Sequence, residues 1–193
     1  MTRKEEIVRT CMDIFAESGA QGLTMKAIAD RVNITEPAIY RYFASKQALI
    51  VAMIRQIHEE LLSRVDDIAG RPSNTLEKLR TIFGYHLSYL KERKAITLEL
   101  LSESFFHAYP DVRRYMFALL NDYHRRIRGI LEAGIEKGEV SRRVRPEAAS
   151  ILFLGALQHL LTIFKLSGGK EEITLVAEDV FRHIKFVLEG GIE

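Results

Sequence analysis

The stretch from Leu23 to Leu49, LTMKAIADRVNITEPAIYRYFASKQAL, constrains the fold of this chain more than any other. Its apolar residues repeat at helical spacing in two short segments, and Thr24 and Thr35 are placed to cap the start of each. Asn33, between the segments, tolerates the left-handed backbone conformation in which helices often end. Two short helices joined by a turn of three or four residues form a helix-turn-helix. The stretch therefore predicts that motif.

Helical periodicity also dominates the rest of the 193-residue chain, so we predict an all-α fold of about nine helices. Helices 2 and 3 are those of the helix-turn-helix. The others are helix 1 from about Lys4 to Ser18, helix 4 from Ser45 to Ile68, helix 5 from Asn74, helix 6 from Ala95 to His107, helix 7 from Pro110 to Lys137, helix 8 from Pro146, and helix 9 after the linker 167–169. Hydrophobic residues make up 47% and charged residues 28%, as in soluble globular proteins.

The clearest break in the helical pattern is the segment from Gly70 to Asn74, rich in turn-forming residues. Helix 4, before the break, is long enough to link the first three helices to the rest of the chain. We assign residues 1–48 to an N-terminal domain of three helices. Residues 49–193 form the second domain, a C-terminal helical bundle that begins with helix 4.

Three features of the sequence predict a cytoplasmic protein. The single cysteine, Cys11, excludes an internal disulfide framework and suits a reducing compartment. The first residues, MTRKEEIVRTC, lack the apolar core of a signal peptide. The uncharged run 148–164 is shorter than the roughly 20 apolar residues of a membrane span and includes Gln158 and His159. We therefore expect no membrane association.

Helix 8 is apolar on nearly every side, and Gly155 and Ala156 would allow a neighbouring helix to come close. A chain of this length has few places where a helix is covered all round. We therefore predict a homodimer in which helices 8 and 9 of two copies form a four-helix bundle. A central helix in a monomeric bundle is the alternative.

Sequence motifs of catalysis and metal binding are missing from the chain. It has no GxGxxG or Walker-type loop, no HExxH, no CxxC pair and no nucleophile elbow. The six histidines are scattered and do not pair at the spacing of zinc ligands. We expect no enzymatic activity, no metal site and no cofactor. The net charge of +2 neither requires nor excludes a nucleic-acid partner.

The outward residues of helix 3 have the chemistry of a DNA-reading surface. Glu36 would accept a hydrogen bond from a cytosine amino group, and the methyl group of Ala38 would contact a thymine methyl. The flanking groups that donate to phosphates, and so fix the register without reading sequence, are Thr24, Thr35, Tyr40, Tyr42 and Lys46. Arg41 also faces outward. In the alternative interpretation, the aromatic residues at positions 40–43 only pack helix 4 onto helix 1.

Residues 1–54 resemble the DNA-binding region of the TetR family of bacterial transcriptional regulators. The resemblance rests on the run FAESGAQGLTMKAIADRVNITEPAIYRYFASKQAL, with its G-x-x-x-L-T beginning and I-Y-x-Y-F-x-S-K end. Asn33 and Pro37 stand where the family usually has glycine. Beyond residue 70 the chain is similar to the family in architecture only.

The resemblance implies a homodimer in which helices 1–3 bind a palindromic operator in double-stranded DNA. Helices 5–9 would dimerise and bind a small molecule that releases a repressor from the DNA. The positions that match the family's usual DNA contacts are Lys26, Glu36, Pro37, Ala38, Tyr40, Tyr42 and Lys46. Together with Thr24, Thr35 and Arg41 they are our ten predicted DNA-contact residues, called the contact surface below.

An apolar or amphipathic effector is predicted to bind among helices 5–8, where apolar faces carry large side chains. The predicted effector-binding residues are Phe83, His86, Phe105, Met116, Tyr123, Phe153 and Leu157. For each aromatic residue a place in an ordinary core is the alternative. His86, on an apolar face, needs a hydrogen-bond partner from protein, water or ligand.

Three functions are compatible with these patterns. The leading hypothesis is a repressor that a small molecule releases from DNA. The second is a dimeric DNA-binding protein, architectural or regulated by a partner, that has no small-molecule effector; a tightly filled core would favour it. The third is an enzyme or interaction module whose helix-turn-helix is vestigial, which would leave DNA affinity insensitive to changes at Tyr42 and Lys46.

Overall fold

The structure is a computed structural model and describes residues 2–92, 103–170 and 172–191. The described residues form helices joined by turns and loops, without strands. The helices are α1 Arg3–Gly22, α2 Met25–Arg31, α3 Glu36–Ile39, α4 Lys46–Ala69, α5 Thr75–Glu92, α6 Glu103–Ala108, α7 Pro110–Glu136, α8 Pro146–Leu166 and α9 Ile173–Leu188. The predicted all-α fold is confirmed. Residues 95–102 of predicted helix 6 lie outside the described residues.

The chain divides into two compact units. The first comprises the described residues up to Glu60 together with those from Glu103 to Leu119, and the second comprises the described residues from Leu61 to Glu92 and from Leu120 onward. Helices α4 and α7 each contribute residues to both units. The division into units therefore does not test the predicted boundary between the two functional domains. The division after residue 48 stays a prediction.

The core of the first unit is built on an apolar stripe of α1. Ile7, Cys11 and Phe15 on this stripe are each at most 2% exposed. The Cys11 sulfur lies 3.7 Å from the sulfur of Met53 on α4. Burial raises the pKa of the Cys11 thiol to about 12, so the thiol stays protonated and acts as a small apolar side chain.

Gly19 marks the predicted end of helix 1, and the structure places a kink there. Its φ is 65° and its ψ is −166°, a conformation that side-chain-bearing residues avoid. Helical structure resumes after the kink, and α1 therefore ends at Gly22 rather than at Ser18. The kink redirects the chain before the cap of α2.

In the second unit α8 packs against α5 and α9. Phe153, Leu157 and Leu161 form its buried side, whereas Ile151 and Leu152 on another side are 61% and 60% exposed in the single chain. In the part of the chain that the structure describes, only α8 is long and apolar enough to span a membrane, a property that core helices of soluble proteins share.

A carboxylate from the loop after α7 caps the start of α5. Glu139 accepts hydrogen bonds from the backbone N–H of Thr75 at 2.8 Å and from its hydroxyl at 2.6 Å. These bonds, the one from the hydroxyl first, lower the pKa of Glu139. Asn74 caps the same helix by accepting from the N–H of Glu77 at 2.8 Å.

Candidate nucleic-acid interface

The helix-turn-helix forms as its local sequence signals predict. The Thr24 hydroxyl accepts a hydrogen bond from the N–H of Ala27 at 3.0 Å and so caps α2. Asn33 has a φ of 54°, which makes it the one non-glycine residue with positive φ among the described residues. This left-handed residue ends the α2 segment and turns the chain toward α3.

The second helix, α3, is a single turn of four residues with Pro37 in its first turn. Thr35 occupies the N-cap position, but its hydroxyl makes no capping hydrogen bond, which corrects the expected cap. Ile39 and Phe43 anchor the segment, since they are 0% and 4% exposed. Contacts with α2 and these two buried side chains therefore hold α3 in place.

Most of the contact surface is open to solvent. Its exposed members are Thr24, Lys26, Thr35, Glu36, Pro37, Tyr40, Arg41 and Tyr42, and its half-buried members are Ala38 and Lys46. Tyr40 and Tyr42 are 49% and 42% exposed, whereas Phe43 is buried. Of these three aromatic residues, only Phe43 is buried and can serve the packing role of the alternative interpretation. The two tyrosines keep exposed surface that can contact DNA.

Lys46 begins α4 directly after Ser45, whose hydroxyl accepts from the N–H of Ala48 at 3.1 Å. The ammonium group of Lys46 lies 5.7 Å from the centre of the Tyr109 ring, within the range of a cation–π contact. A second such contact places the Lys4 ammonium 5.4 Å from the centre of the Phe43 ring. Two cations of the first unit are thus held by aromatic rings.

Four of the predicted effector-binding residues form two groups of contacting rings in the second unit. Phe83 packs edge-on against Phe153, with ring centres 5.4 Å apart, and at 5.6 Å from Phe181. His86 stacks on Tyr123, and its Nδ1 lies 2.8 Å from the tyrosine hydroxyl. We call these five residues the aromatic cluster. The partner that His86 requires is therefore Tyr123.

Burial changes the acid–base properties of this hydrogen-bonded pair. It lowers the pKa of His86 to about 4, so the imidazole is neutral at pH 7. Burial also raises the pKa of the Tyr123 hydroxyl, which keeps its proton. The pair is thus uncharged and joined by a neutral hydrogen bond, as a buried site requires.

The remaining predicted effector-binding residues divide between the two units. Leu157 is buried in the second unit, whereas Phe105 and Met116 belong to the first. The Phe105 ring packs against Phe15 with centres 6.0 Å apart and against Tyr109 at 4.9 Å. Both of these ring contacts lie within the first unit, and the role of Phe105 in effector binding stays a prediction.

An apolar groove runs between α8 and α9 on the surface of the second unit. Its lining includes Leu152, Ala156, Val176, Val180, Ile184 and Val187. Leu152 and Val176 are 60% and 51% exposed in the single chain. A Cβ atom built onto Gly155 would meet nothing within 4 Å, so this face of α8 is open. Among the described residues, no group of three His, Cys, Asp or Glu side chains is placed to hold a metal ion.

Two family profiles match the chain. The profile described as "Bacterial regulatory proteins, tetR family" matches residues 7–53, and "Tetracyclin repressor-like, C-terminal domain" matches residues 72–184. The chain belongs to the tetR family. Together the two matches cover the helix-turn-helix and most of the second unit, and they confirm the resemblance found in the first 54 residues.

Several proteins of similar sequence or structure match nearly the whole chain. The fatty acid metabolism regulator protein of Bacillus subtilis is 21% identical over 91% of this chain and 90% of its own. The nucleoid occlusion factor SlmA of Vibrio vulnificus is 26% identical over 89% and 88%. The crystal structure of FadR from Bacillus subtilis with stearoyl-CoA has a TM-score of 0.83, with 20% identity and coverage of 99% and 100%. At that identity the structure supports the fold alone.

For this tetR-family chain, transcription regulation through DNA binding is therefore established at the level of the family.

The sequence did not predict the cluster of contacts that joins the first turns of α4 to the start of α7. Gln47 donates to the carboxylate of Asp111, and Arg55 donates to the Tyr115 hydroxyl at 2.8 Å. The only local signal was the helix break at Pro110, which places Tyr109 at a corner.

Proposed function

We propose that this protein is a cytoplasmic, homodimeric repressor that binds a palindromic operator and leaves it when an amphipathic small molecule binds. The observation that carries the DNA-binding part is the contact surface on α2, α3 and the start of α4. Eight of its ten residues are exposed, while Ile39 and Phe43 beneath it are buried. The exposed side chains of such a surface can donate hydrogen bonds to DNA because they are not needed to pack the core.

In this proposal α3 reads bases and its flanks hold phosphates. Glu36 and Ala38 face base edges in the major groove, and Arg41 and Tyr42 extend the surface along the DNA backbone. Thr24, although it caps α2, keeps an exposed side chain that can approach a phosphate. Because one α3 offers few contacts, two copies at fixed spacing are needed for a specific site.

The α8–α9 groove is the proposed dimer interface. Exposed apolar residues and the open space at Gly155 support close packing of a second copy there. We expect the wild-type protein to scatter light as a dimer at micromolar concentration. Leu152→Glu, which would place a charge in the interface of both copies, should give a folded monomer with weaker operator binding. A monomeric wild type would contradict the dimer.

The proposed effector is a long-chain acyl thioester such as an acyl-CoA. The support is the similarity to FadR, whose structure holds stearoyl-CoA, and the aromatic cluster of the second unit, which offers an apolar lining. A long acyl chain needs such a lining, and the polar carrier would stay in water.

The DNA-binding part is tested with an operator selected from a random pool of duplexes. Fluorescence anisotropy across a salt series would measure the dissociation constant of the wild type and of Lys46→Ala and Tyr42→Phe. Removing one phosphate contact should weaken binding to all sequences, and the loss of Lys46 should lower the salt slope by about one. The exposed Arg71, which lies outside the contact surface, supplies the control Arg71→Ala. Unchanged affinity in both test variants would contradict the proposal.

The effector part is tested by titrating the operator complex with stearoyl-CoA, with free coenzyme A as the matched control. Release by the acyl thioester alone is expected. The titration is repeated with acyl thioesters of a broad range of chain lengths. If none of them releases the DNA, a second function is favoured, namely that of a dimeric DNA-binding protein without a small-molecule effector. The similarity to the nucleoid occlusion factor SlmA and the internal His86–Tyr123 hydrogen bond favour that alternative.

A further inference from the structure

We propose that Tyr109, at the corner between α6 and α7, is a positioning residue for DNA binding that holds Lys46 ready for a phosphate. The inference rests on the proposed function, since it takes Lys46 to be a phosphate contact. In the sequence, Tyr109 lies more than sixty residues after the second helix of the helix-turn-helix. In the structure, however, it belongs to the same compact unit as Lys46.

The position of the Tyr109 ring is set by two aromatic neighbours in a row. Its centre lies 4.9 Å from the Phe105 ring, and Phe105 in turn packs edge-on against Phe15 on α1. The backbone N–H of Tyr109 donates to the carbonyl of Phe105 at 2.9 Å. Because Phe15 is 2% exposed and Phe105 is 4% exposed, the ring rests on the core of the first unit.

Two contacts that follow Lys46 along α4 tie the first turns of that helix to the start of α7. Gln47 donates to the carboxylate of Asp111, two residues after Tyr109. About two turns further along α4, the Arg55 guanidinium donates to the Tyr115 hydroxyl and lies 5.4 Å from the centre of its ring. These contacts fix the first turns of α4 relative to the ring that Lys46 covers.

A lysine side chain is flexible, and ordering it costs conformational entropy when it binds a phosphate. A ring beneath the ammonium group reduces that cost because the side chain is already restricted in the free protein. The contact also leaves ammonium N–H groups free to donate, since the ring occupies only one side of the cation. Lys46 is half-buried, whereas Lys26 is exposed.

The experiment is a double-mutant cycle on the full-length protein with the selected operator. Tyr109→Leu removes the ring face, and we expect about a two- to fivefold weaker operator affinity, because binding must then order the Lys46 side chain. Tyr109→Phe keeps the ring and should bind within twofold of the wild type. In the Lys46→Ala background, Tyr109→Leu should have no further effect, because the two residues act through one contact.

Two results would overturn the inference. One is an affinity loss from Tyr109→Leu that persists in full in the Lys46→Ala background, which would mean a general packing role. The other is unchanged or tighter binding by Tyr109→Leu. If Lys46→Ala itself changes neither affinity nor salt slope, the phosphate contact in the proposed function fails first, and that outcome is distinct. Tyr109→Met, whose flexible side chain can cover Phe105, replaces the leucine variant if the latter does not fold.

Discussion

The contact surface and the aromatic cluster use their side chains in opposite ways. Residues such as Glu36, Arg41 and Tyr42 are exposed and contribute little to the core. Phe83, His86 and the rings that they contact in the second unit are buried. Substitutions in the first region should therefore change what the protein binds, whereas substitutions in the second should change whether it folds.

Phe83→Ala should produce the largest loss of stability in either region. The ring contacts both Phe153 and Phe181, and its removal leaves a cavity in the second unit. We expect the free energy of unfolding to fall by about 3–5 kcal/mol. Chemical denaturation at one protein concentration measures the change. Phe117→Ala, at a site 69% exposed, is the control and should cost less than about 1 kcal/mol. Similar losses at both sites would contradict the contrast.

The His86–Tyr123 pair should make stability depend on pH in the second unit. Burial lowers the pKa of His86 to about 4, while the unfolded chain has a histidine pKa of about 6.5. Between these values the unfolded state binds the proton and the native state does not. The contribution of His86 is therefore complete above pH 6.5 and is lost as the pH falls to 4, on the order of 3 kcal/mol.

Denaturation curves between pH 4 and 7 measure this dependence on pH. The matched control is the double variant His86→Phe/Tyr123→Phe, which removes both hydrogen-bonding groups and leaves no unpaired partner. Carboxylates contribute to the slope of both proteins alike, so the difference between the two slopes isolates His86. Equal slopes would mean that the native state binds the proton as readily as the unfolded chain does.

Asn33 tests whether the contact surface depends on a strained backbone position. Its φ of 54° is tolerated by asparagine and glycine, so Asn33→Gly should be nearly neutral. Asn33→Ala should destabilise the protein by about 1 kcal/mol, because its Cβ is unfavourable in this conformation. Thermal unfolding of the two variants measures the difference. A neutral alanine variant would show that the turn relaxes without cost.

Thr24 and Thr35 provide the finest comparison, since both are exposed, predicted DNA contacts at helix starts. The Thr24 hydroxyl caps α2 and that of Thr35 caps nothing. Thr24→Ala should therefore cost about 1 kcal/mol of stability, and Thr35→Ala less than about 0.5 kcal/mol. Both should weaken operator binding. Equal stability losses, measured by denaturation, would contradict the assignment of the single cap.

Local sequence signals predicted most of the fold because they act over a few residues. Thr24, Asn33 and Ser45 take the capping and turn roles that their chemistry favours. Pro146 begins α8 as expected. The burial of Ile39 and Phe43 beneath the contact surface also follows from helical spacing.

Contacts between residues far apart in sequence were outside the reach of such signals. Glu139 caps α5 from 64 residues away, and nothing near Glu139 in the sequence indicates it. The contact between Lys46 and Tyr109 joins segments that are likewise distant. Thr35 satisfied the local rule for a cap and still makes no capping bond, because position alone does not place a hydroxyl. Tertiary packing decides these cases.

The four-residue length of α3 has a consequence for how this regulator can diverge. A helix of one turn has almost no stability of its own, so its neighbours supply the order that it lacks. Provided that Ile39 and Phe43 are retained, the outward positions are free to accumulate substitutions. Point mutations at these positions can therefore change which operator is preferred without a large loss of stability. After gene duplication, two copies with this scaffold can come to bind different operators through few substitutions.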